Sequence, residues 1–318
     1  MSKSIDARRS DWGPHETTLQ DDLEAYWGGP WGCDSECGRL AAVLLRRPGA
    51  EIEGIEDPSA VRFKQAMDPE RARGQHDRLA ALYREHGAEV HYVERMRQDR
   101  PNAIYMRDNI LGTPEGAIVG RQAMRCRRGE ERYAAEALAG LGVPILRTVG
   151  GDGIFETACC LWVDAETVLI GRGDRANKEG CRQVREALHH IGVEHFLELP
   201  VPEGYAHIDS IITLVREDLA VIDERYVPAS VVSALRSKGI AVVAANDTDE
   251  LDELALNVVA LAPGHVVLAT GNPRTCGLLE SHGIRVEMID VSEILKGWGS
   301  IHCMTAVLRR DPIHGARG

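Results

Sequence analysis

Cys303 stands in the stretch Gly297-Trp298-Gly299-Ser300-Ile301-His302-Cys303-Met304-Thr305, on the rim of the apolar run Ala306-Val307-Leu308. Glycines at 297 and 299 allow a tight turn and a close approach of backbone to ligand, so the spacing presents a thiol at the end of a strand. Such a thiol is either a nucleophile or an ordinary buried residue, because free cysteine is among the most buried types. Three other segments carry polar groups that are costly to bury without partners. Tyr105-Met106-Arg107-Asp108-Asn109 closes an extended stretch. Gly153-Ile154-Phe155-Glu156-Thr157-Ala158-Cys159 sets a carboxylate among apolar residues, and His207-Ile208-Asp209-Ser210 precedes Ile211, Ile212 and Leu214. In an extended segment alternate side chains share a face, which would aim His207 and Asp209 into one cavity. Singly, Asp108 reads as a turn residue, Glu156 as the partner of an arginine and His207 as a satisfied core histidine. Together, a thiol, an imidazole and three carboxylates read as a site.

The chemistry open to such a set is narrow. Carboxylates sharing a closed pocket repel one another until a cation pairs with them. A planar guanidinium fits, because its forked N–H groups match carboxylates two at a time, and it offers an electrophilic carbon to a thiolate. The cation would itself favour the charged form of Cys303. His207 could then protonate the departing amine and later deprotonate an incoming water, work worth ~10²–10⁴-fold in rate. The covalent intermediate would be a thiouronium on Cys303. This chemistry requires no metal and no cofactor.

Composition bounds the setting. The chain has 318 residues, 44% hydrophobic and 27% charged, enough for one large or two smaller globular domains. A net charge of -12 argues against a nucleic-acid binder with a basic stripe and suits cationic small molecules near acidic clefts. No apolar run reaches the length of a membrane span. Met1-Ser2-Lys3-Ser4-Ile5-Asp6 lacks an apolar export signal, so a cytoplasmic protein is expected. Eight cysteines in such a chain are expected to be reduced, and Cys33 and Cys37 lack the second Cys/His pair that a zinc finger needs. The expected partner is a small cationic guanidino compound, with a homo-oligomer left open.

Periodicity supplies the elements that hold these groups. Residues 1–32, polar and rich in Asp, Glu, Gly and Trp, are expected to form an arm or lid, and 33–318 a single catalytic domain. Within it one unit recurs five times: a short β-branched run, a loop, an amphipathic helix, a glycine and a second β run. The clearest copy runs from Ala117-Ile118-Val119 through a helix over 133–141 to Gly142 and an apolar run over 143–146. Gly192, Gly239 and Gly283 close three further helices, and the copy whose helix ends at Gly87 is split by an insertion. A glycine there suits a left-handed helix cap. Repetition every few tens of residues signals units stacked around an axis. A doubly wound sheet is the competing arrangement. Against it, no glycine-rich dinucleotide loop follows the first strand, and the polar residues fall between units, where a radial fold makes them converge.

These residues resemble the guanidine-modifying, or pentein, superfamily: arginine deiminases, dimethylarginine dimethylaminohydrolases, agmatine deiminases and amidinotransferases. The resemblance covers nearly the whole chain from about residue 33 onward. It rests on Ser35-Glu36-Cys37-Gly38-Arg39-Leu40 through Leu44-Leu45-Arg46-Arg47-Pro48-Gly49, on Arg107-Asp108 and on His207-Ile208-Asp209. Ile301-His302-Cys303-Met304-Thr305, Asn272-Pro273-Arg274 and Ser292-Glu293 complete it. The resemblance implies an α/β fold, a five-bladed propeller around a central active site, in agreement with the five repeats. It further implies Cys303 as nucleophile and His207 as acid and base, with Glu156, Asp108 and Asp209 around the guanidinium. Arg128 and Arg175 stand where the family could hold a substrate carboxylate; a solvated helix start is the ordinary alternative for both.

Two motifs depart from the deiminases. Those enzymes carry Glu-Gly-Gly-Asp where this chain has Phe155-Glu156-Thr157-Ala158, a wording closer to the amidinotransferases, as is Ser300-Ile301-His302-Cys303. Asp152, after Gly150-Gly151, is held in reserve for the same carboxylate. The helical insertion of arginine deiminases is missing. The expectation is a hydrolase of arginine or a close relative that releases ammonia or an alkylamine and leaves a ureido product. The alternative is transfer of the amidino group to an amine acceptor.

Overall fold

The computed structural model describes residues 17–313. Its strands form five separate three-stranded sheets. β1 (Leu40–Leu45) runs parallel to β2 (Glu89–Tyr92) in the first. The second holds β3 (Ile110–Thr113), β4 (Gly116–Val119) and β5 (Ile145–Thr148), and the third β6 (Cys160–Asp164), β7 (Thr167–Arg172) and β8 (His195–Pro200). The fourth holds β9 (Ile212–Arg216), β10 (Leu219–Asp223) and β11 (Ala241–Ala245), and the fifth β12 (Val259–Ala262), β13 (His265–Ala269) and β14 (Arg285–Ile289). β15 (Ala306–Arg310) returns to pair antiparallel with β1, so the first blade draws on both ends of the described chain. In every blade a helix crosses between the two parallel strands: Pro69–Glu85, Glu130–Leu141, Lys178–His190, Ala229–Ser237 and Pro273–Ser281. This is the five-bladed α/β propeller that the repeats lead one to expect.

Local chemistry explains the pieces. β1, β4 and β10 are buried at every residue, hence their continuous apolar runs. The first crossover helix starts at Asp68, whose carboxylate accepts from the N–H groups of Glu70 (3.0 Å) and Arg71 (3.1 Å), with Pro69 in the first turn. Gly87, Gly142, Gly192, Gly239 and Gly283 take φ of 82, 79, 101, 81 and 75°. That left-handed cap lets each helix reverse at once into its parallel strand.

The sequence repeat lacked the first strand of each blade. β3, β6, β9 and β12 span four or five residues and are wholly or almost wholly buried, so no period-two alternation reveals them. The two-residue loops that follow, Pro114-Glu115, Ala165-Glu166, Glu217-Asp218 and Pro263-Gly264, lack the Asn-Gly or Asp-Gly signal of a hairpin.

Of the expected arm, residues 1–16 lie outside the described residues. Leu19–Tyr26 is a helix capped by Thr18, with only Leu23 buried. Trp31, however, joins the apolar cluster of Leu44, Val119 and Leu308, and Gly32 bridges to Arg309. Attachment to the ring therefore begins before residue 33. All eight cysteines are free thiols.

Candidate active site

Four blades enter their first strand through a single helical turn. Met106–Asp108 leads into β3, Thr157–Cys159 into β6, Ile208–Ser210 into β9 and Ile301–Met304 into β15. The equivalent stretch ahead of β12 carries Asn257. The ring brings these entry points together, and Asp108, Glu156, His207, Asp209, Asn257 and Cys303 are all buried there.

Cys303 therefore sits at the rim of β15, as expected, but on a helical turn ahead of the strand and not in the strand itself. Its Sγ lies 3.8 Å from Oδ2 of Asp209. Asn257 fixes both residues: its Oδ1 accepts from the Cys303 N–H at 3.1 Å and its Nδ2 donates to Asp209 Oδ2 at 3.0 Å. Burial, then the charges of Asp209 and Asp108, push the thiol pKa well above its ordinary value. The sulfur thus keeps its proton until a cation offsets those carboxylates. The flanking glycines serve packing and not ligand approach. A side chain at Gly297 or Gly299 would collide with Tyr105, whose hydroxyl donates to the carbonyl of Ile294 at 2.7 Å. The left-handed residue of this loop is Trp298, at φ 62°.

His207 lies between two carboxylates. Its Nε2 is 2.7 Å from Oε2 of Glu156 and its Nδ1 is 3.5 Å from Oδ1 of Asp108. Burial opposes the imidazolium, yet Asp108 and Glu156 outweigh it, and the pKa of His207 is raised. Glu156 also accepts from the Ala123 N–H at 3.0 Å and from Arg175 at 3.2 Å. Burial again opposes the charge, but the His207 bond and nearby arginines hold this carboxyl below its ordinary range. The strand alternation expected for residues 207 and 209 does not apply, because Ile208–Ser210 is a 3-10 turn. Asp209 consequently faces His302, with Oδ2 2.8 Å from Nδ1, while His207 faces Glu156.

A second imidazole was not anticipated. His302 spans from Asp209 to Glu36, 3.4 Å from its Nε2, and Glu36 also accepts from the Trp162 N–H at 3.0 Å. Nor was Arg127, which donates to Asp108 Oδ2 and, at 2.8 Å, to Glu130 Oε2. Arg128 is exposed, with its carbonyl accepting from Arg100 at 2.8 Å, so the arginine at the acidic cluster is its neighbour. Arg175 is in the cluster, bound to Glu156. Asp152 is exposed, which leaves Glu156 as the carboxylate of that segment. Two signals could have found the missing residues: the polar Asn257 inside the run Leu256-Asn257-Val258-Val259, and the i,i+3 pair Arg127 and Glu130 at a helix start. Among the described residues, Oδ1 of Asp108 is buried without a hydrogen-bond partner.

A family model of eukaryotic N,N-dimethylarginine dimethylhydrolases matches residues 56–310. Over 268 residues the chain is 25% identical to the N(G),N(G)-dimethylarginine dimethylaminohydrolase of Streptomyces coelicolor, covering 84% of this chain and 96% of that one. Among solved structures, a variant of the dimethylarginine dimethylaminohydrolase from Pseudomonas aeruginosa complexed with citrulline has a TM-score of 0.69 at 19% identity. It covers 85% of this chain and 100% of its own. SxtG, an amidinotransferase from Microseira wollei, has a TM-score of 0.73 at 15% identity, over 90% of this chain and 98% of its own. At such identities these two structures speak for the fold, the pentein propeller.

Proposed function

The chain belongs to the N,N-dimethylarginine dimethylhydrolase family, and we propose that it hydrolyses the guanidino group of arginine or a close relative through Cys303. The observation that carries this reading is the unpartnered Oδ1 of Asp108, buried beside His207 in the ring of polar groups that holds Cys303. A carboxylate oxygen kept from water needs an N–H donor, and a guanidinium brings several together with a matching charge.

The steps follow from the groups in place. The guanidinium docks on Asp108 and Asp209, and its charge offsets the two carboxylates that hold the Cys303 proton on. The thiol proton leaves to solvent and the thiolate attacks the guanidine carbon. His207, as the imidazolium that its carboxylate neighbours favour, gives its proton to the departing nitrogen. Ammonia or an alkylamine leaves, and the carbon remains on sulfur as a thiouronium. Neutral His207 then takes a proton from water as the oxygen adds to that carbon. The C–S bond then breaks with its electron pair on sulfur, the added hydroxyl loses its proton to become the ureido carbonyl, and protonation of the sulfur restores the Cys303 thiol. Glu156, tied to His207, Arg175 and the Ala123 N–H, keeps the imidazole in position throughout. Eight free thiols support a reducing, cytoplasmic setting.

The test is a colorimetric assay for ureido products with mass detection of the released amine. It covers arginine, N-methylated arginines, agmatine and guanidino acids, with Cys303→Ser as control. A ureido product formed by the wild type and absent from the control is expected. The motif wording around Glu156 and Cys303 favours amidino transfer as the second reading. In that case no ureido product forms, and added glycine, lysine or ornithine yields a new guanidino compound. Failure of both, with substrate still bound, would sink the catalytic reading.

A further inference from the structure

We propose that His86, His265 and Glu287 form a binding site for a divalent transition-metal cation, zinc above all, at the seam between the fifth and first blades. His86 is the C-terminal cap of the helix Pro69–Glu85 in the first blade. His265 opens β13 and Glu287 lies in β14, both in the fifth. The parallel register sets His265 opposite Arg285, and Glu287, two residues further along β14, lies on the same side as Arg285. His265 Nε2 is 3.2 Å from Oε1 of Glu287, and His86 Nε2 is 4.0 Å from the same oxygen. The two rings stand edge to face with centroids 5.0 Å apart, and one ligand atom from each residue lies within 4.8 Å of the others.

Ligand atoms ~2.1 Å from a shared tetrahedral ion lie about 3.4 Å apart. The His265–Glu287 pair is near that spacing, and His86 reaches it by a small ring rotation. The side chains are 29%, 15% and 29% exposed in chain order, so an ion can enter from solvent and keep a water ligand. Two imidazoles and one carboxylate select zinc and its first-row neighbours, whereas magnesium and calcium prefer all-oxygen sets. The helix end beside His86 adds partial negative charge, which favours a cation there. Arg285 is the competitor: its Nη2 donates to Glu287 Oε1 at 2.7 Å, but its side chain is 69% exposed and can swing into water. Among the described residues, the other trio of such ligands, Asp108, Glu156 and His207, already has Arg127 and Arg175 on its carboxylates. Bound metal would clamp an outer strand of the fifth blade to the helix of the first.

The test uses full-length protein stripped of metal, in a Cys303→Ser background that removes the reactive thiol. Zinc chloride is titrated against a chromophoric indicator, and thermal melting is followed with zinc or magnesium. One zinc equivalent is expected, with a higher Tm in zinc and none in magnesium. His86→Gln, His265→Gln or Glu287→Gln should each weaken binding by more than the roughly 10–100-fold typical of losing an outer-shell partner. His207→Gln should leave the equivalent intact, and Arg285→Ala should tighten it. Cobalt in place of zinc should give the d–d bands of a nitrogen- and oxygen-ligated ion. No bound equivalent, or one lost with His207→Gln and retained in the three seam variants, would overturn the proposal. Metal-free melting of each variant shows whether a loss reflects unfolding instead, and a seam variant that melts like its parent while keeping full zinc affinity also overturns it.

Discussion

His207 and His302 are both buried imidazoles lodged between two carboxylates, and both have raised pKa values. Their surroundings differ in one respect. His302 is held on both sides, at 2.8 Å by Asp209 and 3.4 Å by Glu36, and its own backbone N–H is tied to the Asn257 carbonyl at 3.3 Å. His207 is held closely only by Glu156, while its other nitrogen looks at the unpartnered oxygen of Asp108 across 3.5 Å. On the proposed mechanism the same ion-pair chemistry yields a strut in one place and a proton carrier in the other. A group can pass a proton only if one of its bonds is weak enough to exchange.

The comparison breaks most readily at the level of turnover. His207→Gln should lower kcat ~10²–10⁴-fold, whereas His302→Gln, to which the proposed steps assign no proton transfer, should lower it far less. Equal losses in steady-state assays would erase the distinction. Stability should rank the pair the other way. His302→Leu strips Asp209 and Glu36 of a shared partner in the core, and loss of one member of a buried pair costs ~3–5 kcal/mol. His207→Leu should cost less, since Asp108 and Glu156 keep Arg127 and Arg175 at hydrogen-bond distance, whereas Glu36 keeps Arg107 only at 3.9 Å and Asp209 the uncharged Asn257. Urea unfolding of the two variants decides it.

Acid sharpens the contrast further. Burial is the largest single influence and opposes the charge of Glu36, but the bond from His302 and the charges of Arg107, His302 and Arg310 together outweigh it and hold the carboxyl at about 2, against 4.5 ordinarily. A depressed carboxyl adds stability that is complete above its unfolded pKa and lost as pH falls through the folded one. Here the loss spans pH 4.5 down to about 2 and amounts to something on the order of 3 kcal/mol. The raised histidines act with opposite sign. Their contribution is complete below the ordinary 6.5 and is lost as pH rises through their folded values. Urea midpoints should therefore fall at both ends of the pH range, and Glu36→Gln should flatten the acid limb. The smallest effect belongs to Arg128→Ala. On an exposed side chain it should move stability by no more than ~0.5 kcal/mol. A KM rise for arginine but not for agmatine would give Arg128 the role of holding a substrate carboxylate.

Legibility in the sequence followed the type of signal. Helix caps and the five-fold repeat were readable because Gly87 to Gly283 punctuate a regular pattern. Cys303, His207, Glu156, Asp108 and Asp209 were readable because such groups stand out in apolar surroundings. Their pairings were not. Whether His207 meets Asp209 or Glu156 depends on a one-turn helix at 208–210, too short to leave a period. His302 and Asn257 acquire partners only across blades, from residues 93 and 46 positions away in the chain. Arg127 and Arg128 are neighbours of one type, and only the helix that starts at Glu130 sends the first inward and the second to solvent.

The pairing of β15 with β1 has a consequence for synthesis from the first residue to the last. Blades two to five each hold their three strands in one contiguous stretch, so each can form as it leaves the ribosome. The first blade waits for β15, the last strand to be made; Arg310 and Gly38, joined at 2.5 Å, are separated by 272 residues. Closure over such a span adds little entropy penalty beyond that of a shorter loop, but it comes late. The sulfur rides on the turn just ahead of that strand. On the proposed mechanism, a nascent chain assembles its acidic cradle first and gains its nucleophile only at ring closure.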